Sequence, residues 1–258
     1  MKPQVCILRT DGTNCDRETA RAFELAGATP VMVHVNQLHS GQTKLRDYQI
    51  LALPGGFSNG DDVASGQILA NELMSLLADQ MQSFALEQKP IIGICNGFQV
   101  LVRTGLLPFG QLGQICSTLA GNTSGRFEHR WVEMTVAPHP GCVFLPEGSR
   151  PTIQLPVAHG EGRFIALPQV LDEIERQNLV ILRYASYGFS TQEFPANPNG
   201  SLNAIAGICD PTGRIVGLMP HPERFVDLCQ HPNWRRGKLR QPDGLGFFQT
   251  AVNYASRL

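Results

Sequence analysis

No run of lysine or arginine occurs in this sequence, and its 21 basic residues nearly balance its 22 acidic ones. Nothing in that balance points to a nucleic-acid-binding surface. No apolar stretch approaches the ~20 residues that a membrane-spanning helix needs. The chain opens on the strand-like Val5-Cys6-Ile7-Leu8 with no signal-peptide pattern, so the expected setting is the cytoplasm. Cysteine is present but not paired by spacing. The seven cysteines include no Cys-x-x-Cys and no Cys/His cluster at zinc-ligand intervals, so neither a disulfide framework nor a bound metal is expected. Cys6, Cys116, Cys142 and Cys209 lie in or near apolar runs and are expected as small core residues, while the exposure of Cys229 is left open. Repeats, low-complexity tracts and linkers are also absent. A chain of 258 residues with these properties is expected to form one domain over 1–258, with a decorated second half.

The first half alternates strand and helix patterns. Gln4 to Arg9 reads as a strand, Asp16 to Ala26 as a helix ended by Gly27, and Val31 to Val35 as a second strand. Gln49 to Leu53 is a third strand, halted by Pro54-Gly55-Gly56. Ala70 to Gln88 has apolar residues near helical period and reads as one longer helix, followed by a fourth strand at Ile91 to Ile94. Such alternation predicts an α/β fold with a mostly parallel sheet flanked by helices, and ligands at the carboxyl ends of its strands. The second half reads as more antiparallel. Ala204 to Cys209 and Arg214 to Leu218 flank the turn signal Asp210-Pro211-Thr212-Gly213, and Asp243 to Tyr254 is expected as a closing helix.

Cys95 sits in Ile91-Ile92-Gly93-Ile94-Cys95-Asn96-Gly97-Phe98-Gln99, where a buried strand meets a helix. That layout is an elbow: it lifts the side chain to the top of a sheet and sets the next backbone N–H beside it as an oxyanion donor. A helix N-terminus behind the sulfur also favours the thiolate. A thiol nucleophile needs an imidazole base and a carboxylate to orient it. His221 and Glu223, in Met219-Pro220-His221-Pro222-Glu223, follow an apolar run and offer both. His34, His39, His129 and His159 are rivals for the base. His159 is the most serious, because Glu161 also lies two residues beyond it. Gly55 and Gly56 give a loop whose N–H groups can approach an oxyanion. Gly60-Asp61-Asp62 reads as a solvated helix start in preference to a metal site, and the segment from Gly125 to Arg130 as a charged strand edge or a binding surface.

Taken together, Pro54-Gly55-Gly56, the Gly93 to Gln99 segment and His221-Pro222-Glu223 resemble the class I (triad) glutamine amidotransferases, whose fold is flavodoxin-like. Further segments resemble the branch of that family formed by the glutaminase subunits of phosphoribosylformylglycinamidine synthase. These are Gly12-Thr13-Asn14-Cys15-Asp16, Asn122-Thr123-Ser124-Gly125-Arg126-Phe127-Glu128, His159-Gly160-Glu161-Gly162-Arg163-Phe164, Asn197-Pro198-Asn199-Gly200-Ser201 and Met219 to Arg224. The resemblance implies that Cys95 attacks glutamine, His221 moves the proton and Glu223 orients His221. It implies an oxyanion site at Gly56 and Asn96, beside Gly55, with Gln99 seating the substrate. His159 becomes a near-site residue, together with Asn122, Arg126 and Glu128. The implied partners are a large synthase subunit, which uses ATP and magnesium to convert formylglycinamide ribonucleotide to the formylglycinamidine, and a small bridging subunit. No cofactor is expected in this chain, which has no Gly-x-x-x-x-Gly-Lys loop. The second-half insertions then serve as docking surface as well as scaffold. Asn59 departs from the aromatic residue that many members carry there. Two alternatives remain: an amidotransferase of the same class serving another pathway such as guanylate synthesis, and a non-catalytic α/β protein whose elbow cysteine senses oxidants.

Overall fold

The computed structural model describes residues 2–137, 139, 141–146, 148, 150–237 and 241–258. The first half runs β1 (Gln4–Arg9), α1 (Asp16–Leu25), β2 (Thr29–His34), α2 (Val35–His39), β3 (Ile50–Leu53), α3 (Gln67–Leu76), α4 (Ala78–Leu86), β4 (Ile91–Ile94) and α5 (Asn96–Arg103). The second half adds β5 (Ser117–Gly121), β6 (Glu128–Val136), β7 (Thr152–His159), β8 (Glu161–Ala166), α6 (Pro168–Arg176), β9 (Val180–Ser186), β10 (Phe189–Ser190), β11 (Ile205–Cys209), β12 (Ile215–Leu218) and α7 (Leu245–Ala255). The described residues contain no helix long and apolar enough to cross a membrane.

The main sheet has the order β2-β1-β3-β4-β12-β11-β9-β6-β7, with β10 paired to β9. The first five strands are parallel. Their order is that of the flavodoxin-like sheet, with β12 arriving from the far end of the chain to take the fifth place. The remaining strands continue the sheet in antiparallel pairs, and β5 and β8 form a separate two-stranded ribbon. The parallel mostly α/β plan and the antiparallel extension are as the sequence predicts. Right-handed crossovers put the helix of a leftward connection, α1, on one face and those of the rightward connection, α3 and α4, on the other. Packing agrees: α1 lies against α7, with Phe23 and Phe248 edge to face at 4.9 Å, and α3 lies against α5. β3 and β4 are buried along their whole length, which is why both read as unbroken apolar runs.

Most boundaries fall within a few residues of expectation, but the second strand, the long helix and Cys116 differ in ways that have a physical cause. The second strand begins at Thr29, and Val35 opens α2, because the His34 side chain caps that short helix by accepting from the Asn36 N–H. The long helix expected from Ala70 is two helices. It breaks at Leu77, whose backbone (φ −128°, ψ 12°) is not helical, and the buried Leu73, Leu77 and Met81 pack inward across the break. Periodicity alone does not register a kink that keeps the apolar face. Cys116 is half-exposed and is not a core residue; it precedes the ribbon strand β5, away from the main sheet.

The functional loops all leave the carboxyl ends of parallel strands: residues 10–15 after β1, 54–58 after β3, Cys95 after β4 and His221 after β12. The close fit of α5 on this sheet depends on glycine. A Cβ on Gly97 would lie 1.9 Å from the Leu53 carbonyl oxygen, and one on Gly93 would lie 2.5 Å from the Gly97 carbonyl oxygen. Gly97→Ala is therefore expected to push α5 off β3 and lower stability by about 1–3 kcal/mol, read as a lower urea midpoint. An unchanged midpoint would contradict this close approach.

Candidate active site

Cys95 has φ 51° and ψ −105°, a conformation that a residue with a side chain seldom adopts. Such strain costs of order 1–3 kcal/mol and persists only where the surroundings enforce it. Here they do. The Cys95 N–H donates to the Leu218 carbonyl oxygen at 2.8 Å, and the N–H groups of Phe98 and Gln99 close onto the Cys95 carbonyl oxygen at 3.0 and 3.1 Å. The thiol, 6% exposed, faces a polar boundary and donates to the Ala158 carbonyl oxygen at 3.6 Å. Asn96 is the first residue of α5, where a backbone N–H precedes the intrahelical ladder.

His221 enters from β12, which pairs with β4 so that Leu218 faces Ile94. Its N–H donates to the Pro156 carbonyl oxygen at 2.8 Å, tying the segment to β7. Pro222 then starts a single 3-10 turn, Pro222–Arg224, which folds Glu223 back onto the ring. Glu223 Oε1 lies 2.6 Å from His221 Nδ1, with both residues buried. A short charge-assisted contact of this kind fixes both tautomer and orientation, leaving Nε2 on the far side of the ring from Glu223. Nε2 has no hydrogen-bond partner. Burial opposes the imidazolium, but the charges of Glu223 and of the Cys95 sulfur outweigh it and hold the His221 pKa well above its ordinary value. The ring can thus accept the thiol proton and keep it.

Gly55 lies between these groups. A Cβ there would come 2.8 Å from His221 Cε1, 3.2 Å from Cys15 Sγ and 3.4 Å from Cys95 Cβ. The missing side chain is what allows thiol and imidazole to meet. Gly56, at φ 146°, bridges to Thr13 and holds the loop against the segment after β1.

Asn96 and Gln99 form a polar floor. The Asn96 amide donates to Asp61 Oδ1 at 3.1 Å and to Gln99 Oε1 at 3.0 Å, and Gln99 Nε2 donates to the Glu161 carbonyl oxygen. Gln99 is therefore engaged at both ends of its amide and braces Asn96 and the start of β8. Asp61 also accepts from the Ser65 hydroxyl, and burial raises its carboxyl above the usual range. Asp62 is exposed.

His159 is near but distinct. Its Nδ1 meets Asn122 Oδ1 at 3.1 Å, and the Asn122 amide donates to the carbonyl oxygens of Arg126 and of His159 itself. Burial, reinforced by His221, lowers the His159 pKa to about 3, so the ring is neutral where enzymes work. Glu161 does not orient it; the Glu161 carboxylate accepts from the Ser65 N–H. Glu128 is buried against Arg130 and the Ser124 hydroxyl, and Arg126 is exposed. His34 caps α2, and His39 and His129 are exposed, so none of these rivals reaches the thiol.

Two neighbours are not legible from spacing. Cys15 is buried with its Sγ close to His221 and Glu223, and Arg224 Nη2 donates to that sulfur at 3.0 Å. Burial raises the Cys15 thiol pKa, against the lowering effect of His221. Both residues stand in quoted motifs, but no pattern announces that the first loop and the last meet.

The family model for the CobB/CobQ-like glutamine amidotransferase domain matches residues 2–255. The phosphoribosylformylglycinamidine synthase subunit PurQ of Dehalococcoides mccartyi is 46% identical, covering 100% of this chain and 99% of that protein. The structure of PurLQS from Thermotoga maritima contains a chain that superposes with a TM-score of 0.77 at 34% identity, covering 98% of this chain and 99% of that one. The glutaminase domain of Trypanosoma brucei CTPS, with bound acivicin, shares the fold at a TM-score of 0.61 and 10% identity, covering 99% and 94%.

His159 carries a prediction about pH. A histidine whose folded pKa lies near 3 against about 6.5 unfolded binds its proton only on unfolding. Stability should therefore fall as pH drops from about 6.5 toward 3, by roughly 1.4 kcal/mol per unit from this group. Urea unfolding of His159→Asn should show a shallower decline over that window than the unsubstituted protein. Parallel declines would contradict a buried neutral ring.

Proposed function

The chain belongs to the CobB/CobQ-like glutamine amidotransferase family, and we propose that it hydrolyses glutamine at Cys95 and supplies the ammonia to phosphoribosylformylglycinamidine synthase, of which it is the glutaminase subunit. Full-length identity of 46% to a PurQ subunit supports the biological role. The single observation that carries the chemistry is His221, held by Glu223 at 2.6 Å with its other nitrogen unpartnered beside the Cys95 elbow.

In this mechanism His221 Nε2 takes the thiol proton as Cys95 Sγ attacks the side-chain carbonyl carbon of glutamine. The oxyanion collects N–H donors from Gly56 and Asn96. Collapse of the tetrahedral adduct expels ammonia, protonated by the imidazolium, and leaves a thioester. Water, activated by the now neutral imidazole, releases glutamate and restores the thiol. The raised pKa of His221 suits the acid step, since the ring holds its proton until the leaving amine needs it. Gln99 acts from behind the floor, through Asn96, and not by direct contact.

The ammonia is consumed by a large synthase subunit that uses ATP and magnesium on formylglycinamide ribonucleotide, with a small bridging subunit. The PurLQS structure from Thermotoga maritima, which contains a chain similar to this one, supports that assembly. No cofactor of its own enters the mechanism of this chain. Seven free cysteines suit the reducing cytoplasm.

Cys95→Ala should lower glutamine hydrolysis by roughly four orders of magnitude, with His221→Ala close behind, because members of such a unit fail together. Glu223→Gln should lose less, on the order of two to three orders of magnitude, since only orientation and imidazolium stabilisation suffer. Glutamate release by the Cys95→Ala protein at an undiminished rate would remove the nucleophile from the mechanism.

A further inference from the structure

Of the buried thiols that the mechanism above leaves unused, Cys15 is the one that lies in the same small volume as the working histidine. One sulfur, one imidazole nitrogen and one carboxylate oxygen, from Cys15, His221 and Glu223, all lie within 4.8 Å of one another. All three residues are buried, and two of their polar atoms, His221 Nε2 and Glu223 Oε2, have no hydrogen-bond partner. A second sulfur is at hand, because the empty Cβ position of Gly55 touches both Cys15 Sγ and Cys95 Cβ.

We propose that Cys15, His221 and Glu223 form an inhibitory binding site for a divalent ion of the zinc class, with Cys95 able to supply a fourth ligand. The donor set selects the metal. Thiolate and imidazole suit a borderline-soft tetrahedral ion, whereas magnesium and calcium take oxygen ligands and would gain little here. Zinc ligands lie at about 2.0 to 2.3 Å from the ion, which sets ligand atoms ~3–4 Å apart. Ligand atoms already within 4.8 Å of one another reach that spacing by side-chain rotation, in which Glu223 gives up its 2.6 Å contact with His221 Nδ1. The charges also balance. Thiolates at Cys15 and Cys95 with the Glu223 carboxylate offset the ion and the Arg224 guanidinium beside Cys15. On binding, each ligating thiol gives up its proton to solvent, so affinity rises with pH. The ion occupies the imidazole that would take the Cys95 proton, so hydrolysis stops until the metal is removed. This consequence rests on the catalytic role given to His221 above; the metal site itself does not.

Cobalt(II) is the probe, because its spectrum reports thiolate ligation without reference to activity. The full chain carries Cys229→Ser to silence the exposed thiol. Anaerobic titration should give one equivalent with a sulfur-to-cobalt charge-transfer band and tetrahedral visible bands, displaced by zinc. Cys15→Ser, a near-isosteric change checked for folding by circular dichroism, should lose charge-transfer intensity and weaken binding about tenfold or more. Zinc inhibition of glutaminase should be reversed by chelator and be about tenfold less sensitive in Cys15→Ser. Absence of a thiolate band, or an identical spectrum and affinity in Cys15→Ser, overturns the site. Cobalt binding as expected in a protein that never hydrolyses glutamine would instead sink the catalytic assignment and leave the metal site standing.

Discussion

The pairing of β4 with β12 is the constraint on which the site depends. These strands come from opposite ends of the chain, yet they run parallel in a register that sets Leu218 beside Ile94. One residue past each strand end the register becomes chemistry: the Cys95 N–H is held by the Leu218 carbonyl oxygen, and two residues after Met219 the chain delivers His221. A slip of one residue would turn the thiol and the imidazole to opposite faces of the sheet. The strain in the Cys95 backbone is held by the same ladder, so folding free energy from two buried strands maintains a conformation that the cysteine would not adopt alone.

Around that pair the site is defined as much by missing atoms as by present ones. Gly97 lets α5 sit on the end of β3, and Gly55 leaves room for imidazole and sulfur to share one space. The polar residues that surround them are mostly satisfied by one another. Asn96, Gln99 and Asp61 brace one side, and Asn122 and His159 the other. Among the buried polar atoms without a partner, His221 Nε2 is the one a proton transfer requires. The antiparallel second half contributes through β7, whose carbonyl groups at Pro156 and Ala158 hold His221 and receive the Cys95 thiol. It is part of the site's wall as well as an extension of the sheet.

Much of this was legible in the sequence because local and tertiary signals agree. The β3 and β4 runs are wholly apolar, the elbow is punctuated by glycine, and the Asp210 to Gly213 turn does join an antiparallel pair whose second strand leads to His221. The break at Leu77 escaped because a kinked pair of helices buries the same periodic face as a straight one. The choice between His221 and His159 could not be made from residues alone, since both precede a glutamate by two positions. In space the two differ: a 3-10 turn folds Glu223 onto its histidine, whereas the bend at Gly160 leads into β8, where the Glu161 carboxylate accepts from the Ser65 N–H. Cys15 was hidden for the same reason. Its neighbour Arg224 is distant in sequence, and only the convergence of parallel strand ends brings the two together.

Three thiols compete for the role of nucleophile on grounds of chemistry alone: Cys95 at the elbow, Cys15 against the same imidazole, and Cys229 at the surface. The most direct measurement is covalent trapping with an electrophilic glutamine analogue, followed by peptide mapping of the labelled residue. The account predicts a single adduct on Cys95, prevented by excess glutamine. An adduct on Cys15 or Cys229 with Cys95 unmodified would contradict it.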